Sequence, residues 1–212
     1  MNKTIEYWNI IQRNIFACPN PCLYRFMHHI GINIEKRNVL ELGFGMGSDL
    51  FEMQKRGAKT YGIDVDERKV DDINKLKGNN KFPIVLHGNI LTDIKKFNES
   101  FDFIFSQDVL YYLEENDLHL CLNNVKEVLV GDGKLLFQVI TGDYKIINGK
   151  EIFDSKAILK DSGNPILFRD ENFYLSCLKK EGFNVIAKKI IKETFFANCE
   201  AVRHNLYICC SK

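Results

Sequence analysis

Between residues 41 and 47 the chain reads Glu41-Leu42-Gly43-Phe44-Gly45-Met46-Gly47, three glycines at alternate positions directly after an apolar run. Glycines at such a bend let the backbone turn sharply and come close to a ligand. The spacing decides which ligand. A pyrophosphate-binding fingerprint is G-x-G-x-x-G, whereas here the third glycine comes one residue early and Ser48 follows it, a poor match. No G-x-x-x-x-G-K-[ST] run occurs, which excludes a P-loop. Glu41 would repel a phosphate and suits a cationic or amino-bearing ligand. Asp64 stands 21 residues beyond Gly43, after Tyr61-Gly62-Ile63. A carboxylate there can accept hydrogen bonds from both hydroxyls of a ribose. In the plainer reading, Asp64 or Asp66 simply caps the next helix.

Strands and helices must hold these residues. Asn38–Leu42 reads as a short apolar strand running into the glycine turn. Ser48 can cap a helix that runs to about Arg56. Thr60–Ile63, Pro83–His87, Phe101–Phe105 and Lys134–Ile140 read as further strands, with a helix over Glu67–Leu76 and one or two helices over 109–130. Strand–helix alternation at this spacing implies a parallel sheet with helices on both faces. Residues 1–37 read as helix broken at Pro19 and Pro21, a helical cap ahead of a single unit spanning 38–212. Residues 141–168 are less regular and form a candidate lid-like insertion at the active site. A helix over Glu171–Glu181 and two late strands, Phe183–Ile191 and Leu206–Cys210, complete the pattern.

Composition narrows the classes. The 212 residues are 45% hydrophobic and 27% charged, with a net charge of +1, which argues against a dedicated nucleic-acid binder. No apolar run approaches the ~20 residues of a membrane span, and Met1–Ile10 has no apolar block of the signal-peptide kind. The seven cysteines are odd in number and read as reduced, cytoplasmic thiols. Cys18 and Cys22 have no companion Cys/His pair at finger spacing, so no metal is expected.

Several segments together resemble the class I S-adenosylmethionine-dependent methyltransferases. They are V-L-E-L-G-x-G-x-G at 39–47, G-I-D at 62–64, H-G-N-I at 87–90, S-F-D-F-I-F-S at 100–106 and K-E-G-F-N-V at 180–185. The resemblance implies a Rossmann-like, doubly wound α/β sheet of seven strands, the last antiparallel. It implies S-adenosylmethionine as cofactor, with Gly43, Phe44 and Gly45 close to the methionine part and Glu41 among the cofactor-binding residues. Asp64 would bind the ribose, Val65 would pack on the adenine, Asn89 and Ile90 would bracket the adenine edge, and Gln107 would lie under the sulfonium. Trp8 is the candidate aromatic of an N-terminal lid. Where the family most often carries Asp, this chain has Asn89, whose amide oxygen can still accept from an amino group.

Methyl transfer to a hydroxyl calls for a base. The candidates are His204, expected in the loop before the last strand, His29 beside His28, and Asp108 just past the fourth strand. Each also has an ordinary role, His28 and His29 as surface residues and Asp108 as a cap for a helix beginning at Val109. Tyr111 and Tyr112 could stack on an acceptor, or form a buried first turn. Arg169 and Arg203 could take an anionic group. The N/D-P-P-[YFW] motif of many amino-group methylators is absent, Ser106-Gln107-Asp108-Val109 standing in its place. The expectation is methyl transfer to a small molecule, favouring a hydroxyl oxygen as on a sugar or glycan precursor. An amine or macromolecular nitrogen acceptor, or a binding protein without transfer activity, are the alternatives. A homodimer through the N-terminal helix is a further expectation.

Overall fold

The structure, a computed structural model, describes residues 18–141, 145–146, 150–151, 157–158, 165–167, 169–197 and 199–212. Helix α1 (Pro21–His29) precedes strand β1 (Asn38–Leu42), and then come α2 (Ser48–Lys55), β2 (Lys59–Asp64), α3 (Glu67–Lys77), β3 (Ile84–His87) and β4 (Phe101–Gln107). A short 3-10 turn at Leu110–Tyr112 leads to α4 (Glu115–Val128), β5 (Leu129–Ile140), α5 (Glu171–Lys180) and the long hairpin of β6 (Asn184–Ala197) with β7 (Cys199–Ser211). The seven strands lie in the order 3-2-1-4-5-7-6, and β7 runs antiparallel to both neighbours. Two-residue strands at Lys145–Ile146 and Lys150–Glu151 extend the sheet beside the distal half of β7.

Alternation along the central strands sorts side chains into two cores, because successive residues of a strand face opposite sides. Leu40, Leu42, Ile104, Leu135, Phe137 and Ile208 face α4 and α5, meeting Leu122, Val125, Tyr174 and Leu178. Val39, Phe103, Phe105, Leu136 and Tyr207 face the other way, against Leu23, Phe26 and Met27 of α1 and Met53 of α2. With apolar groups on both faces the strands read as near-continuous hydrophobic runs, as parallel strands buried on both sides do.

Helix starts follow their local chemistry. Asn20 accepts from the backbone N–H groups of Cys22 and Leu23, and Pro21 takes the first helical position, where its missing N–H costs nothing. Asp66 caps α3 and Asp170 caps α5. Among the described residues no helix is long and apolar enough to cross a membrane.

The late strands differ from expectation. The hairpin pairs continuously from Asn184↔Ser211 to Ala197↔Cys199 apart from one bulge, so β6 and β7 outrun the expected Phe183–Ile191 and Leu206–Cys210. Thr194-Phe195-Phe196 continue a run of good strand formers, and no turn residue stops it. His204 therefore lies within β7, paired with Lys192, instead of in a preceding loop. Strand β5 likewise begins at Leu129, taking in Gly131-Asp132-Gly133, with a register irregularity between Phe101 and Phe103. Most of the expected insertion, like Trp8, lies outside the described residues.

Candidate active site

The carboxyl ends of β1, β2 and β4 open into a cleft of about 450 Å³. It lies where the strand order reverses between β1 and β4, the place where open α/β sheets bind ligands. The glycine turn forms its base. Gly43, Gly45 and Gly47 all have positive φ, and Gly43 donates its N–H to the Ile63 carbonyl at 2.8 Å. A Cβ on Gly43 would come within 2.4 Å of Val109 Cγ2, so the turn and the β4 exit are closely apposed.

Asp64 ends β2 inside the cleft. Its Oδ2 accepts from Gly45 N–H at 2.9 Å and its Oδ1 from Asp66 N–H at 3.0 Å. The cap of α3 belongs to Asp66, which accepts from Arg68 N–H, and the Asp64 side chain lines the cleft. Burial pushes the Asp64 carboxyl up, against the two backbone donors that pull it down.

Glu41, 4% exposed, shares this cleft, and its Oε2 has no hydrogen-bond partner. Burial raises its carboxyl well above the usual range, and the neighbouring Asp49 and Asp64 add to the rise. Beside it runs a network that sequence reasoning missed. Asp49 Oδ1 accepts from the Tyr24 hydroxyl at 2.8 Å and from Asn20 N–H at 3.1 Å, while its Oδ2 accepts from Gln107 Nε2 at 2.8 Å. Gln107 Oε1 in turn accepts from Asn20 Nδ2 at 2.6 Å. Burial raises the Asp49 carboxyl, with these three donors opposing. A Ser/Thr/Asn/Asp before a helix-initial Pro was the available signal for Asn20, but its partners are distant in sequence.

The expected cofactor residues Glu41, Gly43, Phe44, Gly45, Asp64 and Val65 all line the cleft, as do Asn89, Ile90 and Gln107. Val65 is 48% exposed, and Ile90 is buried. Asn89 Oδ1 accepts from Leu91 N–H at 2.9 Å, leaving one lone pair for a ligand. Of the acceptor-side candidates, Asp108 and Tyr112 line the cleft and Tyr111 is buried in the core. Asp108 holds a left-handed backbone (φ +58) and donates its N–H to Gln138 Oε1 at 3.0 Å; it caps no helix, because a 3-10 turn follows in place of the expected α-helix.

Three candidates lie elsewhere. His29 ends α1 and faces a separate groove with Arg25, His28 and Lys189. The backbone carbonyl of His204 accepts from Thr141 N–H, its residue being fixed in the sheet. Arg169 donates to the Leu113 carbonyl at 2.6 Å and lies over the Phe173 ring, so packing and a backbone acceptor engage its guanidinium. The Arg203 side chain is outside the described residues. Lys69, Val109 and Leu113 line the cleft without having been expected there.

These residues fit an adenosyl amino acid. The cleft offers an unpartnered buried carboxyl oxygen at Glu41, a turn of glycines with positive φ, and the Asp64 carboxylate at the end of β2.

Comparison with known proteins agrees. A family model described as a methyltransferase domain matches residues 40–137. The phosphoethanolamine N-methyltransferase of Plasmodium falciparum (isolate 3D7) is 39% identical over 94 residues, 42% of this chain and 31% of that protein. The tRNA U34 carboxymethyltransferase of Vibrio campbellii is 34% identical over 125 residues, 56% of this chain and 37% of that protein. The chain thus spans about a third of the length of these curated relatives. Among solved structures, the N-methyltransferase NodS from Bradyrhizobium japonicum, in complex with S-adenosyl-L-homocysteine, superposes with a TM-score of 0.70 at 16% identity, covering 100% of this chain and 99% of that one.

Proposed function

We propose that the chain is a class I S-adenosylmethionine-dependent methyltransferase, as the methyltransferase-domain match over residues 40–137 supports, and that it methylates a small-molecule acceptor at an amine nitrogen. The observation that carries this reading is the charge of the cleft. Asp49, Asp64, Asp66 and Asp108 line it against one cation, Lys69, beside a Glu41 whose burial favours its protonated form until a cationic group meets it. Such a wall suits groups that are, or become, positive. It opposes an acceptor bearing a phosphate, so the favoured amine is otherwise neutral or cationic.

S-adenosylmethionine supplies a methyl group already activated by a positive sulfur. The chain's part is alignment and exclusion of water. Asp64 holds the ribose, Val65 and Ile90 flank the adenine, and Glu41 takes the amino group of the methionine portion. Asp49 and Gln107, locked to each other and to Asn20, form a rigid polar surface beside the reacting end. Asp108 and Tyr112 face the incoming amine. The bound cofactor would supply a methyl whose bond to sulfur breaks as the lone pair of an unprotonated amine forms the bond to carbon, and Asp49 and Asp108 would lie near the positive charge that then rests on nitrogen.

Two of the proteins compared are named as N-methyltransferases, which supports nitrogen as the target, while the acidic cleft sets the acceptor proposed here apart from the phosphorylated amine in the Plasmodium protein's name. Transfer to a hydroxyl keeps one observation in its favour. Asp108 is held in a strained backbone conformation at the cleft, where strain tends to collect at functional positions, and it could serve as the base that neither His29 nor His204 is placed to be. A screen of amines and alcohols with methyl-labelled cofactor, read by product mass and NMR, separates the two. Methylated nitrogen products are expected, and products methylated only at oxygen overturn the amine assignment.

A further inference from the structure

Lys69 is the one cation facing this cleft among the described residues. It sits in the first turn of α3 and is only 8% exposed. Its ammonium donates to the Met46 thioether sulfur at 3.0 Å, and no ion pair joins it to a described carboxylate within 4.0 Å. An ammonium carries three donors, and a thioether is a weak acceptor. Burying such a group with most of its donors unmatched is costly, so the arrangement is one that a ligand would complete. The Lys69 charge also reaches Asp64, whose carboxyl it helps to hold down. Met46, its present partner, is 38% exposed at the rim of the same cleft.

We propose that Lys69 is a cofactor-binding residue that donates a hydrogen bond to the adenosine portion of S-adenosylmethionine, at a ribose hydroxyl also held by Asp64. The proposal rests on reading the cleft as the cofactor site. A hydroxyl can donate to one partner and accept from another. Asp64 supplies the acceptor and Lys69 the donor, so a single hydroxyl can satisfy both. The ammonium then exchanges a thioether for an oxygen, a stronger acceptor. The geometry also accounts for a buried lysine in an otherwise acidic cleft, where its charge offsets that of Asp64 and Asp66 without meeting either directly.

Calorimetry on the full chain tests this with two probes, S-adenosylhomocysteine and 5′-deoxy-5′-methylthioadenosine, which lacks the amino acid. Lys69→Met is expected to weaken both by the same factor, about tenfold for loss of one hydrogen bond from a charged group. Lys69→Arg, which keeps a cationic donor, is expected to stay within about threefold of the unmodified chain. Thermal melting without ligand checks that the fold survives, and Lys69→Gln replaces the Met variant if it does not. Unchanged affinity in Lys69→Met overturns the proposal, as does a loss confined to S-adenosylhomocysteine, which would place the lysine at the amino-acid end. Failure of the unmodified chain to bind either probe is a different result. It removes the cofactor reading on which the lysine assignment stands.

Discussion

The buried Glu41 and Asp49 and the half-buried Asp64 crowd the cleft, and lost hydration raises the carboxyl of each. Glu41 is the most informative, because its Oε2 has no partner to offset the lost hydration. In the unfolded chain it ionises near the usual glutamate range, and in the folded chain well above it. Between those two points the folded state binds more protons than the unfolded one, so stability falls as pH rises. The ligand-free protein is therefore expected to melt at a higher temperature near pH 5 than near pH 8. Glu41→Gln should flatten that slope and raise the melting temperature at pH 8, and an unchanged slope would remove Glu41 as its source. The same group links binding to protons. If Glu41 must ionise to take the ligand's amino group, S-adenosylhomocysteine binding releases a proton below the raised Glu41 pKa. Calorimetry in buffers of differing ionisation enthalpy measures that release, and it should vanish in Glu41→Gln. Asp64 makes the companion case. Its two oxygens each accept one backbone bond and keep capacity for the ribose, so Asp64→Ala should weaken S-adenosylhomocysteine at least tenfold, roughly the worth of a hydrogen bond to a charged group.

At the scale of elements, two junctions set the cleft. The glycine turn closes β1 onto the exit of β4, with Val109 pressed against Gly43. Gly43→Ala meets two obstacles, a left-handed backbone costing about 1–2 kcal/mol for a residue with a Cβ and the overlap with Val109. Adding Val109→Ala relieves only the second. The double variant should recover part of the ligand affinity and stability lost in Gly43→Ala, and no recovery would mean that backbone strain alone governs the turn. The second junction is Asn20, which caps α1 with its oxygen and ties it to Gln107 with its amide nitrogen. Asn20→Ala should lower stability by about 1–2 kcal/mol through the cap alone, measured by urea denaturation. It should also loosen Gln107 and weaken ligand binding, whereas Asn20→Asp restores the cap and leaves the Gln107 contact unmade. These junctions also explain what could be read in advance. The glycine turn, Asp64 and the strands around them announce themselves within a few residues, because turn chemistry and apolar alternation are local. Asn20 and Asp49 did not, since their tertiary partners stand 25 to 187 residues apart in the chain. His204 was misplaced for a related reason. Nothing near it signals that the hairpin continues, and pairing with a distant strand decides where β7 begins.

For the whole molecule, the sheet separates charge as well as the two cores. The chain is nearly neutral, at +1, yet the cleft at its carboxyl edge gathers five acidic side chains and one lysine, while Arg25 and Lys189 line a separate groove between α1 and β6. Composition alone cannot show this, because a balanced count conceals where the signs lie. A cleft lined by one sign concentrates ligands of the other and speeds their arrival, and salt weakens that steering. Consider three amine acceptors of similar size, one with an additional positive group, one neutral and one phosphorylated. At saturating cofactor, kcat/KM for the cationic acceptor is expected to fall as ionic strength rises. The neutral acceptor should change little, and the phosphorylated one should be the poorest at low salt and improve as salt is added. In the proposed arrangement Asp66, beside Asp64, lies on the adenosine side of the cleft and Asp108, at the β4 exit, on the acceptor side, so Asp108→Asn should reduce the salt dependence of the cationic acceptor more than Asp66→Asn. A phosphorylated amine that is preferred at low salt would place a compensating basic group over the cleft and reverse the acceptor class argued from its charge.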